Sequence, residues 1–282
     1  MSILLWPNLE KHNIKETLDK VVQYLYNNSK NDIDKPIMLK QHAKFFYYDN
    51  IGIDFESNEV IPIAISFGGD GTFLGMCREL LKNKYFHTRV CGINLGNLGF
   101  LTNIGTNNLA NRLNDLVNKH YKSIKRNVLI GNIDDVNQIA INDISVTKGS
   151  MISRMLNLSL YIDNKYFMNY RADGLIISTA TGSTGYSLSA GGSIVHPSVE
   201  ALLITPICAH SISMKPLIIS FRSSITIKID DSKEALATFD GQKSYKLNNK
   251  QEIHIKSAPY KLNTIQFQDL DYYDIIKEKL IK

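Results

Sequence analysis

Between Glu10 and Tyr26 the apolar positions Ile14, Leu18, Val21, Val22 and Leu25 recur on one face of an otherwise polar segment, which predicts an amphipathic helix. A short strand is predicted before it, over residues 3–6. Residues 60–67 (VIPIAISF) form a run rich in β-branched residues and read as a buried strand ending at Gly68. Pro62 belongs near the start of that strand, since proline donates no ladder hydrogen bond. Helical spacing resumes with Phe73, Met76, Cys77, Leu80 and Leu81. The pattern then repeats: a strand over 90–94 (VCGIN), the glycine-rich stretch LGNLGFLTNIG, and a helix carrying Leu109, Leu113, Leu116 and Val117. Strands alternating with helices predict a Rossmann-like α/β domain with a parallel sheet, its binding loops at the carboxyl ends of the strands.

Beyond residue 122 the period changes. Leu156, Leu158, Leu160 and Ile162 alternate with Asn157, Ser159, Tyr161 and Asp163, and Asp163-Asn164 supplies a turn before Tyr166 resumes, which predicts a hairpin. Ile225, Ile227 and Ile229 alternate with Thr226, Lys228 and Asp230, and Ile253 with Ile255 marks a further strand. The second domain is therefore expected to be mostly β and sandwich-like. From Leu270, the residues Tyr273, Ile276 and Leu280 return to helical spacing. The expected division is an α/β domain over 1–122, a β-rich domain over 123–264, and a helical segment over 265–282 packing back on the first.

Composition narrows the classes. The 282 residues, 44% hydrophobic and 21% charged, are ordinary for a globular protein, and no apolar run reaches the length of a membrane span. The N-terminus lacks the basic and long apolar regions of a signal peptide, so a cytoplasmic protein with no membrane partner is expected. Cys77, Cys91 and Cys208 are odd in number and widely spaced, which fits buried small hydrophobes and neither a disulfide framework nor a metal centre. The net charge of +5 comes from scattered lysines without a basic block, which points away from nucleic acid and is compatible with anionic small molecules.

Three stretches carry chemistry. In F-G-G-D-G-T-F, residues 67–73, Gly68, Gly69 and Gly71 stand between a strand and a helix, where backbone amides and the helix dipole favour an anion. The lysine of a Walker loop is missing. Asp70 stands among those glycines, where a bare carboxylate repels phosphate, so it is expected to meet a cation or to take a proton from an attacking hydroxyl. Its bland alternative is a helix cap. Residues 173–192, DGLIISTATGSTGYSLSAGG, run from an apolar strand into a loop of hydroxyls and glycines that lets a flat ligand approach the backbone. Between these stretches Asn142 and Asp143 interrupt an apolar alternation, and taken alone they fit a polar edge-strand pair better than a pocket. His196 and His210 have no ligand partners at metal spacing and read as structural.

Taken together with N-L-G-N-L-G-F-L-T at 94–102 and TPICAHSISMKPLII at 205–219, these motifs resemble NAD kinase in order and spacing along nearly the whole chain. GGDG alone is shared with phosphofructokinases and with diacylglycerol and sphingosine kinases, whereas its combination with the second loop is specific. The resemblance implies an active site between the domains that a neighbouring subunit helps complete, in a homodimer or homotetramer. It implies transfer of the γ-phosphate of ATP, with Mg²⁺ or another divalent cation, to the 2'-hydroxyl of the adenosine ribose of NAD. It makes Asp70 the catalytic base, and assigns phosphate binding to Gly68, Gly69, Gly71 and Thr72. NAD contacts fall to Asp70, Gly71, Asn142, Asp143, Asp173, Thr181, Thr184, Gly185, Tyr186, Ser189 and Gln242, with Asp173 placed to reach a neighbour's site.

There are departures from the family pattern. Ala180 and Ser193 stand where prolines are usual, and Gly185 where alanine is usual, which leaves this loop less preorganised. Two other readings remain beside the kinase of NAD: a different GGDG kinase acting on a lipid or a sugar phosphate, and a non-catalytic dinucleotide sensor. The polar loop at 178–189 is ill suited to a lipid, and a sensor has little use for Asp70.

Overall fold

A computed structural model describes residues 2–11, 14–28, 35–55, 59–96, 99–149, 155–210, 215–230, 234–269 and 271–280. It divides into a unit of Met1–Lys125 with Leu262–Lys282, and a unit of Arg126–Lys261.

The first unit runs β1 (Ser2–Pro7), α1 (Ile14–Asn28), β2 (Lys35–Leu39), α2 (Lys40–Phe45), β3 (Gly52–Ile53), β4 (Ile63–Phe67), α3 (Asp70–Lys82), β5 (Arg89–Asn94), β6 (Ile104–Gly105), α4 (Leu109–Val117) and β7 (Tyr121–Arg126). Its sheet has the order β3-β2-β1-β4-β5, flanked by the short β6 and by a strand that returns from the C-terminus, with β7 beyond it. The pairs β1–β2, β1–β4 and β4–β5 are parallel, as the alternation of elements predicts. β4 starts directly after Pro62, so the strand lacks no ladder donor; the proline's carbonyl accepts the Arg89 N–H at 2.9 Å. All of β4 is buried, and Ile63, Ile65 and Phe67 pack with Ile14, Leu18, Val21 and Leu25 of α1 and with Leu113 and Leu116 of α4 in one core. The helical stripes read from the sequence are thus the buried faces of their helices.

The second unit contains β8 (Leu129–Ile133), β9 (Val136–Ala140), β10 (Asp143–Lys148), β11 (Leu156–Ile162), β12 (Lys165–Ala172), β13 (Gly174–Thr179), α5 (Tyr186–Ser189), β14 (Ala201–Ile207), β15 (Leu217–Ser220), β16 (Ile225–Ile229), β17 (Ala235–Phe239), β18 (Lys243–Leu247) and β19 (Glu252–Ser257). Two antiparallel sheets form, ordered β15-β14-β13-β10-β17-β18 and β12-β11-β16-β19-β8-β9. Leu158, Leu160, Ile225 and Ile227 of one sheet share a core with Leu175, Ile177, Leu202 and Ile204 of the other, which makes the unit a sandwich. The β11–β12 hairpin turns on Asp163 and Asn164, both at positive φ (50° and 63°), the backbone a two-residue type I′ turn demands.

The chain comes back to the first unit as a strand. β20 (Leu262–Phe267) lies parallel to β5 and buries Ile265 and Phe267 in the first core. Sequence reading places a helix from 265; the helix, α6 (Tyr272–Leu280), starts later and buries no residue. Burial of Leu262, Thr264, the β-branched Ile265 and Phe267 in a strand beside β5 outweighs the helical spacing of the residues that follow. Leu270, where the helical spacing begins, is outside the described residues, as are Asn97 and Leu98 of the glycine-rich stretch and residues 211–214 of the motif at 205–219.

Candidate active site

In the first unit the site is built on the turn between β4 and α3. Gly68 adopts φ +152°, and a Cβ there would stand 2.4 Å from Thr72 Oγ1, so only glycine fits. Its N–H donates to the Ile93 carbonyl at 2.9 Å and is therefore spent on the sheet rather than left for a phosphate. Gly69 is the N-cap residue of α3, and a Cβ on it would meet nothing within 4 Å. That open side is where a ligand can approach the backbone.

Asp70 is the first residue of α3 and does not cap it. Its carboxylate turns to the following loop instead. Oδ2 accepts the Phe100 N–H at 2.9 Å; Oδ1 accepts the N–H groups of Leu101 (3.2 Å) and Thr102 (3.1 Å) and the Thr102 hydroxyl (3.0 Å). A carboxylate offers about four lone-pair positions, so Oδ1 is saturated while Oδ2 keeps one for a further proton donor. Gly99 permits the approach: a Cβ there would fall 1.9 Å from Asp70 Oδ1. Thr102, 1% exposed, organises the loop by accepting from Asn94 Nδ2 (3.2 Å) and the Gly99 N–H (3.0 Å). Asn103 Nδ2 donates to the Ile265 carbonyl at 2.7 Å, tying this loop to β20. Thr72 accepts from Asn8 Nδ2 at 3.0 Å. Asp70 thus sits rigidly at a helix N-terminus with one oxygen still able to accept.

In the second unit the predicted residues gather around the start of β10. The Asn142 carbonyl accepts the Thr179 N–H (2.9 Å) and the Ser178 hydroxyl (3.2 Å), and its side-chain Oδ1 is buried with no hydrogen-bond partner among the described residues. Asp143 is 4% exposed, and burial, then the nearby Asp240 charge, pushes its carboxyl up to about 7. The hydroxyl-rich loop folds as a 3₁₀ turn, Thr181–Thr184, leading into α5. Gly182 packs so closely that a Cβ would lie 2.2 Å from the Asn142 carbonyl oxygen. At Gly185 the added Cβ would stand 3.6 Å from Asn142 Nδ2 and 3.8 Å from Asp143 Oδ2. Thr181 is buried and accepts from Arg126 Nη1 at 3.4 Å, while the Thr184 hydroxyl reaches the Thr181 carbonyl at 3.5 Å. Tyr186 is 45% exposed; burial of its hydroxyl, and then Asp143, Cys208 and Asp173, raise its pKa. Asp173 is ion-paired with Lys148 at 3.1 Å, and Ser189 is exposed at the end of α5.

Gln242 is exposed on the turn between β17 and β18. In the stretch Asp240-Gly241-Gln242 the residue that engages this cluster is Asp240, whose carboxylate accepts the N–H groups of Ile141 (3.0 and 3.2 Å), Asn142 (2.8 Å) and Asp143 (3.3 Å). The resemblance places the stretch 240–242 near NAD through Gln242, not Asp240, because Asp240 acts on backbone amides about a hundred residues away, and Thr102 acts through the Asp70 and Asn94 side chains and the Gly99 N–H; no local spacing reveals either. His196 bonds Ser198 two residues on (2.7 Å), a turn contact, and His210 is exposed. Of the cysteines, Cys77 and Cys91 are buried as expected, whereas Cys208 is exposed. It follows the end of β14 at φ +46°, where the chain leaves the sheet.

A parallel α/β unit with a carboxylate fixed in a glycine turn, in one chain with a β-sandwich carrying a polar, glycine-lined loop, defines a nucleotide-handling phosphotransferase of the GGDG type. Residues 8–121 match the ATP-NAD kinase N-terminal domain and residues 141–267 the ATP-NAD kinase C-terminal domain. The NAD kinase of Clostridium botulinum (strain Loch Maree / Type A3) is 35% identical over 279 residues, covering 97% of this chain and 94% of that protein. That of Thermoanaerobacter sp. (strain X514) is 36% identical over 283 residues, covering 97% and 96%. Among solved structures, yeast NADH kinase complexed with NADH superposes with a TM-score of 0.86 at 24% identity, over 100% of this chain and 87% of that one. An Archaeoglobus fulgidus NAD kinase in complex with ATP gives 0.75 at 23%, over 99% and 98%. At those identities the two structures speak to the fold. The chain belongs to the NAD kinase family.

Proposed function

We propose that this protein is an ATP-dependent NAD kinase, transferring the γ-phosphate of ATP to the 2'-hydroxyl of the adenosine ribose of NAD to give NADP. The observation that carries the reading is Asp70, immobilised by four donors with capacity left on Oδ2. In this reading Oδ2 receives the proton of the attacking hydroxyl as the O–P bond forms. A ribose hydroxyl is a weak acid, so the transfer matters most as the transition state develops, and positioning supplies much of the rate. Amides at the open side of Gly69 and the N-terminus of α3 favour the phosphates. In the β unit the buried, unpartnered Asn142 Oδ1 supports a nucleotide ligand, since an orphaned buried acceptor is costly unless a donor arrives. An adenine amine is such a donor. Thr181, Thr184, Gly185, Tyr186 and Ser189 are read as the remaining walls of the NAD site, with Asp173 and Gln242 at its margin.

A divalent cation is expected to accompany ATP, held by the phosphates, where it neutralises charge. Asp70 is already committed to its loop, so no protein ligand is assigned to the cation and no step is derived through it. The expected homodimer or homotetramer and cytoplasmic location belong to this same reading; among the described residues no helix is long and apolar enough to cross a membrane. The test is a coupled assay: purified protein with Mg-ATP and NAD should accumulate NADP. Binding of NAD without turnover would favour the sensor instead, and turnover of a lipid or sugar phosphate with NAD inert would favour another GGDG kinase.

A further inference from the structure

The β10 cluster holds two carboxyls that the structure treats unequally. Asp240, 8% exposed, spends its oxygens on three consecutive backbone N–H groups, those of Ile141, Asn142 and Asp143, and its own N–H donates to the Asp143 carbonyl at 2.9 Å. It is built to carry a negative charge. Asp143 is 4% exposed, yet its carboxyl has no hydrogen-bond or ion-pair partner among the described residues. A buried, unpaired carboxylate is costly, and such groups neutralise instead. The missing side chain at Gly185 leaves Asp143 Oδ2 and Asn142 Nδ2 next to the space a Cβ would fill.

We propose that Asp143 meets the dinucleotide as a neutral carboxylic acid donating a hydrogen bond, and that Asp240 is the positioning residue that holds it in that place and that state. The proposal rests on the dinucleotide reading above. A neutral donor suits a ligand rich in acceptors and carrying a diphosphate, whereas a second charge beside Asp240 would repel it. The elevated titration of Asp143, caused first by burial and then by Asp240, agrees with the geometry. The titratable groups around it are Asp240 on the turn after β17 and Tyr186 at the start of α5, itself influenced by Cys208 and by Asp173, which pairs with Lys148. The facing residue of β13 is the uncharged Ser178.

The experiment is calorimetric titration of the full-length protein with NAD between about pH 6 and about pH 9, with initial rates alongside. The wild-type affinity should fall as pH rises past the Asp143 titration, approaching about tenfold per pH unit. Asp143→Asn carries an N–H donor at every pH and should turn the sloping profile flat. Asp240→Asn removes the charge that opposes ionisation of Asp143, so the loss should begin at lower pH, with KM for ATP little changed; a merely structural role would weaken NAD at all pH values without moving the limb. If Asp240→Asn does not fold, the Asp143→Asn profile decides. A flat wild-type profile, or affinity rising with pH, overturns the proposal, as does Asp143→Asn weakened about a hundredfold throughout. Failure of the wild-type protein to bind NAD at any pH overturns the dinucleotide reading and this proposal with it.

Discussion

Asp70 and Asp240 make the same local arrangement in two different units. Each carboxylate accepts three consecutive backbone N–H groups, of residues 100–102 for Asp70 and 141–143 for Asp240. What differs is the remainder. Asp70 is only partly buried, whereas Asp240 is buried and stands beside a second carboxyl. In the proposed reading one pattern of amides serves two ends: it aims a reactive carboxylate in the first unit, and fixes a charge that keeps a neighbour neutral in the second. Rigidity is common to both, and exposure decides which becomes chemical.

The comparison can be broken most severely at Asp70. Asp70→Asn should lower kcat by about 10²–10⁴-fold, the usual worth of a general base, with NAD affinity within a few-fold by calorimetry. Parallel loss of binding and turnover would make the residue structural. In the second unit the opposite sign is expected. The Asp143 carboxyl is raised from 3.8 to about 7, so its contribution to stability is full below the unfolded value and is lost as pH rises through the folded one. Asp143→Asn should then stabilise the fold at neutral pH by on the order of 2 kcal/mol in denaturant titration; destabilisation would mean the buried acid is satisfied.

His42, in the first unit, offers a control of another kind. It is 4% exposed, stacks edge-on with Trp6 at 4.9 Å, and burial lowers its pKa from 6.5 to about 4. Its contribution is full above the unfolded value and should decline as pH falls from 6.5 towards about 4, by up to about 3 kcal/mol. His42→Gln should flatten that part of the stability profile; an unchanged acid limb would remove His42 as its cause. Thr102→Val deletes the hydroxyl shared by Asp70, Asn94 and Gly99. It should cost about 1–3 kcal/mol and lower kcat more than it raises KM for NAD; an unchanged kcat would show that the amides alone aim Asp70. The smallest effect is expected at Ala180, whose φ of −57° already lies in the proline range. Ala180→Pro should add about 0.4–1 kcal/mol, read as a rise in Tm, and a fall would mean the loop needs its freedom.

Much of this architecture is legible in the chain because burial leaves a period. Ile14, Leu18 and Val21 face one core, Leu158 and Leu160 the other, and Asp163-Asn164 encodes its turn. Strands that contradict their own chemistry are not legible. β14 carries Pro206 opposite Leu175 inside a sheet, and β20 reads as the start of a helix although it pairs with a strand far earlier in the chain. At the site the motif residues are visible as side-chain types, but the amides that Asp70 and Asp240 engage are not, since every residue but proline has an N–H. Gly68 shows the same limit: its glycine reads as a phosphate cradle, while its N–H is bound to Ile93.

The central claim, that Asp70 serves a 2'-hydroxyl, is tested most directly by the position of the phosphate in the product. Mg-ATP and NAD should yield a single product phosphorylated at the 2'-oxygen of the adenosine ribose, and NAD lacking that hydroxyl should bind but remain unphosphorylated. Phosphate transferred elsewhere, or turnover of the deoxy analogue, would contradict the account.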